Sequence, residues 1–263
     1  EALRSLSMLI LALVPLTASL SSTATARAAL LKAIAPLERG FKADKQQRLA
    51  VDSAIKELAA SAPLQALPDI SGDWELIYTD APDILGLDAQ AGPLVTCTRI
   101  GQQISEADGT IANVIEYGPR AWAANLVGQA KGDLLQQRVI TSFERRADAP
   151  TKVDLKIKGA AFVPKQLLGV SLASVPPLKL QGVVEPPFGS FECLYCEGPD
   201  GPATSDPDVV ALDPDAADEM EQTCEIEGLA GFGACSSIRV VRTQQGYYSI
   251  NRRMAPMEGW GDA

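Results

Sequence analysis

The 263 residues are 46% apolar, enough for one sizeable core with extensions, and they contain no histidine. That excludes imidazole as general base, as activator of a serine or cysteine nucleophile and as metal ligand. The formal charge of −10 is local: between Leu180 and Ile238 there is no lysine or arginine but thirteen of the 33 acids, leaving 20 acids against 23 bases elsewhere, and no basic patch favours nucleic acid.

Residues 1–26 hold a short apolar run, Leu9 to Leu20, with Arg4 before it and Ala24, Thr25 and Ala26 after it. This is the layout of a cleavable export signal, and the run is shorter than the roughly 20 apolar residues a spanning helix needs. A retained apolar helix lying on a membrane or a partner fits the same residues. From 27 to 62 the period is helical: Leu30, Leu31, Ile34 and Leu37, then Val51, Ile55 and Leu58, with Gly40 separating two helices.

Beyond residue 63 the period changes to two. Trp74, Leu76 and Tyr78 alternate with Glu75, Ile77 and Thr79, and "IANVIEY", "QRVITSFERR", "KVDLKIKGA", "LKLQGVV", "SIRVVRT" and "YYSINRR" follow as strands. Val153, Leu155 and Ile157 against Lys152, Asp154, Lys156 and Lys158 give one dry and one wet face. Antiparallel strands after a helical preface predict a mainly β domain, residues 63–263, built as a sandwich or an up-and-down barrel. The segment from Val163 to Val175 fits a short helix or a loop across a barrel mouth. Residues 197–227 combine acids with Pro199, Pro202, Pro207 and Pro214, the composition of a solvated insertion.

Cys193 and Cys196 form a C-x-x-C. Zinc would need Cys224 and Cys235 as the second pair, and their separation is too long for such a clip, so no metal site is expected. Reduced thiols are the expected state of these cysteines; a disulfide from Cys193 or Cys196 to Cys224 or Cys235, pinning the acidic segment, is the alternative. The acids there are too solvated for paired acid and base work, and Gly228, Gly231 and Gly233 precede a strand and do not open a helix, which disfavours a phosphate loop.

"RAALLKAIAPLERG", "VDSAIKELAASAP", "ISGDWELIYTDAPDIL", "GTIANVIEY", "SFERRADAPTKVDLKIKG" and "IRVVRTQQGYYSINRR" occur in an order and spacing that resemble the plastid lipid-associated proteins, or plastid fibrillins, from about Arg27 to Arg253. The resemblance implies a lipocalin-like antiparallel β-barrel with an N-terminal helical preface, and a non-enzymatic role. Such a protein binds or organises carotenoids, quinones or lipids at the thylakoid or plastoglobule surface of a chloroplast. It also implies a barrel floor. Gly72, Asp73 and Trp74 match the G-x-W that opens a lipocalin, and Arg239 or Arg242 supplies the arginine that lies across the indole. Trp74, Leu76, Tyr78, Val114, Phe143, Leu155, Ile157, Val240 and Tyr248 are then the expected ligand-lining residues.

The long acidic insertion, "GFGACSSIRVV" where family members often place an aspartate, and the 5% aromatic content depart from the family pattern. The basic helical preface (Arg27, Lys32, Arg39, Lys42, Lys45, Arg48, Lys56) could sit on an anionic membrane or simply show its charges to water. Two other functions remain. One is an interaction subunit of a photosynthetic membrane complex, docked by residues 1–26 and the acidic segment. The other is a xanthophyll-modifying enzyme, against which stand the absence of histidine and of an acid/base pair.

Overall fold

The helical stripe of the preface folds as its spacing demands. Helix α1 is described over residues 23–34 and continues as a 3-10 turn, Ala35–Leu37; α2 spans Lys45–Ser61. Leu30, Ile34, Leu37, Val51, Ile55 and Leu58 are all buried. Between the helices Glu38, Arg39 and Gly40 take positive φ of 45°, 61° and 97°, which ends the first helix in the left-handed region. Asp44 then opens α2 with a capping box: its carboxylate accepts from the Gln47 amide at 2.8 Å while the Gln47 side chain accepts from the Asp44 amide at 2.9 Å.

This computed structural model describes residues 23–123, 134–167, 170–172, 174–182, 188–198, 236–255 and 258–260. The chain divides into two compact units, Glu1–Leu64 with Glu197–Ser237, and Gln65–Cys196 with Ile238–Ala263. In the first unit, Arg27 is buried and pairs with Glu197 at 2.7 Å, so the preface is tied to the start of the acidic segment. Most of residues 1–26 and 197–227 lies outside the described residues, as do Cys224 and Cys235.

The second unit is a closed barrel of eight antiparallel strands. In chain order the strands are β1 (Gly72–Thr79), β2 (Val95–Ser105), β3 (Thr110–Pro119), β4 (Leu135–Arg145), β5 (Lys152–Pro164), β6 (Gln166–Leu167), β7 (Val170–Ser171), β8 (Leu178–Gln181), β9 (Gly189–Cys196), β10 (Ile238–Thr243) and β11 (Tyr248–Arg253). Pairing runs β1, β2, β3, β4, β5, β9, β10, β11 and back to β1. Two short helical turns, α3 (Pro82–Leu85) and α4 (Leu87–Gln90), lead from β1 to β2.

Three expectations need adjusting. "LKLQGVV" yields β8, whose four residues are exposed and which pairs beside β5 outside the ring. The segment after Val163 is neither helix nor plain loop but the end of β5 and the small β6–β7 hairpin. The barrel is completed by β2 and β9, which simple alternation does not pick out.

Cross-strand partners share a face, so the register assigns every side chain to the inside or the outside of the barrel. Trp74 pairs with Gln102, Gln102 with Asn113, Asn113 with Val139 and Val139 with Ala160. Arg239 on β10 hydrogen-bonds Gln102 on β2, three strands away around the wall, so this row points inward. Bulges between Leu76 and Tyr78, Cys97 and Arg99, Ile140 and Thr141, and Val240 and Val241 each shift a register, which bends and closes the wall. The outer face of β1 to β4 is covered by the C-terminal segment: Trp260 packs with Val114 and Met254, and Arg99 lies 4.3 Å over its indole.

Candidate functional site

Gly72 starts β1 at φ +118°, a left-handed value, and an added Cβ would come within 3.1 Å of the Arg253 guanidinium. The missing side chain lets Arg253 reach Trp74. Trp74 is fully buried, its indole N–H donates to the Ile70 carbonyl at 2.8 Å, and two guanidinium carbons lie over its ring, Arg239 at 4.7 Å and Arg253 at 4.8 Å. Each cation is attracted by the indole's negative face. The indole and its arginines form the floor at one end of the barrel.

Of the two arginines the sequence offers for that floor, Arg239 is the one in place. Arg242 is not: it stands on the outer face, 45% exposed, paired with Glu192 at 2.8 Å. The two are three residues apart, and the alternation of β10 puts them on opposite faces. Arg253 is a floor residue that sequence reasoning missed. Its signal was present in "YYSINRR", where Asn251 and Arg253 fall on one face with a period of two.

The nine expected lining residues separate by face. Trp74, Leu76, Phe143, Leu155 and Ile157 point inward, with Ile100, Ile104, Ile111 and Ile115 beside them. Tyr78, Val114, Val240 and Tyr248 point outward, which corrects their expected orientation. Tyr78 pairs with Ile250 and Ile250 with Val240, the neighbours of inward Asn251 and Arg239. The bulge in β1 inserts Ile77, so Tyr78 no longer follows Leu76 in phase. Val114 packs under Trp260, and Tyr248 pairs with outward Arg242. A groove of about 540 Å³ lies at the Gly72 end of β1 to β3, lined mostly by outward residues, Asp73, Gln103, Ser105, Ala112 and Met254, with Gly72, Ile104 and Arg253; of the expected site residues it touches Gly72 alone.

Electrostatically the floor is unusual. Arg239 is completely buried; its Nη2 donates to the Gln102 side-chain oxygen, while its Nε and Nη1 have no hydrogen-bond partner. Burial lowers its pKa, and the nearby Arg253 guanidinium lowers it further. Cys193 pairs with Val241 and Cys196 with Arg239, so the C-x-x-C faces the interior beside the floor, with Leu194 as the bulge residue that brings both thiols to one side. Both are thiols. The Cys196 thiol and burial together raise Cys193 well above the usual thiol range, so it stays protonated. Among the described residues no group of three or more Cys, Asp or Glu could hold a metal ion.

A family model, PAP_fibrillin, matches residues 24–197, from the preface to the end of β9. The chain belongs to the PAP_fibrillin family. The family is one of plastid lipid-associated structural proteins, which associates this chain with plastids. The lipocalin-like barrel that the resemblance implied is the fold observed. The match ends before β10 and β11, so the strands that carry Arg239 and Arg253 lie beyond it. Searches of curated proteins and of solved structures found no match.

Proposed function

We propose that this PAP_fibrillin protein binds or organises small apolar molecules such as carotenoids, quinones or lipids at thylakoid or plastoglobule surfaces, without catalysing their conversion. The observation that carries this reading is the inward face of a closed barrel with a buried tryptophan at one end: Leu76, Ile104, Ile111, Phe143, Leu155 and Ile157. Apolar walls with few polar groups hold a ligand through burial and shape. The opposite end supports a lipid-facing role. Leu94, Trp122, Val170, Val175 and Leu178 are between 42% and 64% exposed, and all lie in or beside the segments at the end away from Trp74. Exposed apolar side chains gathered at one end favour contact with a lipid surface.

Solvent extraction of the purified full chain, followed by mass spectrometry and absorption spectroscopy, tests the proposal. The expected result is a stoichiometric pigment, quinone or lipid, or saturable uptake of one by the emptied protein. A barrel that releases nothing and takes up none of these compounds overturns it.

A further inference from the structure

Resting on that carrier reading, we infer that the barrel selects apolar molecules with an anionic end, a carboxylate or phosphate monoester on a single apolar chain, and that Arg239 receives that end at the floor. Arg239 is 0% exposed and carries two unpartnered N–H donors, Nε and Nη1. Among the described residues no carboxylate pairs with it, and the groups facing it are the Gln102 amide, the two thiols and the Arg253 guanidinium. Arg253 adds positive charge, and the protonated Cys193 thiol neutralises none of it.

A buried guanidinium without a counter-ion is costly, and an arriving anion removes that cost while satisfying the free donors. The guanidinium carbon sits over the indole while Nε and Nη1 have no partner, and carboxylates and phosphates bind arginine through such N–H groups. Inward side chains on the side of Trp74 away from Gly72 supply the complement for a chain: Leu76, which pairs with Asn251 and through it with Arg239, and Ile100 and Ile115, which pair with each other on β2 and β3. A head held at the floor and a tail running toward the open end match this distribution of charge and apolar surface.

The test measures binding of dodecanoate, dodecyl phosphate, dodecanol, acetate and inorganic phosphate to the full chain by calorimetry. The two anionic arms separate a carboxylate source from a phosphate source. Support is binding of either anionic amphiphile roughly ten-fold or more tighter than dodecanol, with most of that advantage lost in Arg239→Gln and partly kept in Arg239→Lys. Equal affinity for dodecanol and the anions overturns the inference and leaves the carrier reading standing; no binding by any amphiphile overturns both. Binding of acetate or inorganic phosphate as tightly as the amphiphiles, or loss of selectivity in Arg253→Gln but not in Arg239→Gln, also overturns it, the latter by placing the anion at Arg253. Because Arg239 variants can unfold, the unaltered protein gives a second readout: the carboxyl carbon of labelled dodecanoate, followed by NMR, should titrate below the free acid. Titration at or above the free acid refutes an anion held by a cation.

Discussion

At the scale of single residues, close approach decides what is tolerated. Gly101 lies on the outer face of β2 between Trp74 and Trp260, and a Cβ there would stand 2.0 Å from the Trp74 carbonyl oxygen and 2.4 Å from the Trp260 ring. Gly101→Ala must displace backbone on one side or a buried indole on the other. It should cost about 2 kcal/mol or more, read as a lower urea midpoint with an unchanged slope; an unaltered midpoint would show that the C-terminal segment is not packed there. Gly101 carried no signal in the sequence, since a glycine in a strand announces only a bulge or a neighbour. Trp74 did, because G-x-W is a pattern. The identity of its arginines required the register, which placed Arg239 and Arg253 inside and Arg242 outside.

For whole elements, legibility follows the contrast between faces. Strand β5 was plain because Val153, Leu155 and Ile157 alternate with charges. Strand β2 was not: its inward row mixes Ile100 and Ile104 with Gln102, and its outward row includes Gly101. Strand β9 hides for another reason. Phe191, Cys193 and Tyr195 are all buried, but the bulge at Leu194 changes the face between the second and the third. The helices are governed locally. Asp44→Ala removes the carboxylate that caps the first turn of α2 and should destabilise the first unit by about 1 kcal/mol, with Asp44→Ser recovering most of it. Equal thermal midpoints for the parent and the alanine variant would mean that the cap contributes nothing.

Across the whole molecule, acid stability follows from carboxylates that the fold holds deprotonated. Burial raises Asp88, but hydrogen bonds from the Thr96 hydroxyl, the Cys97 amide and Arg120 outweigh it and hold the carboxyl below its ordinary 3.8, tying α4 to β2 and to the segment after β3. The Ser71 amide and hydroxyl lower Asp69, and the Arg252 guanidinium lowers Glu258. In each case the unfolded chain binds its proton at a higher pH than the folded one. Stability from these groups is therefore complete above the ordinary carboxylate values and is lost as the pH falls through them to the lowered folded values. The urea midpoint should hold from pH 7 to about pH 5 and drop steeply below, and Asp88→Asn should make that drop shallower. An identical acid slope in the variant would remove Asp88 from this account.

The sequence by itself determined the helical preface, the mainly β body, most of the strands, the family and the tryptophan floor. Each of these is written in neighbouring residues, as a period, a cap or a short motif. The tertiary structure alone decided ring closure through β2 and β9, the exclusion of β8 from the ring, and the inward or outward direction of Tyr78, Val114, Val240 and Tyr248. The reason is the period of two: one inserted residue reverses every face beyond it, and whether a residue is inserted depends on the partner strand, which a single segment does not contain.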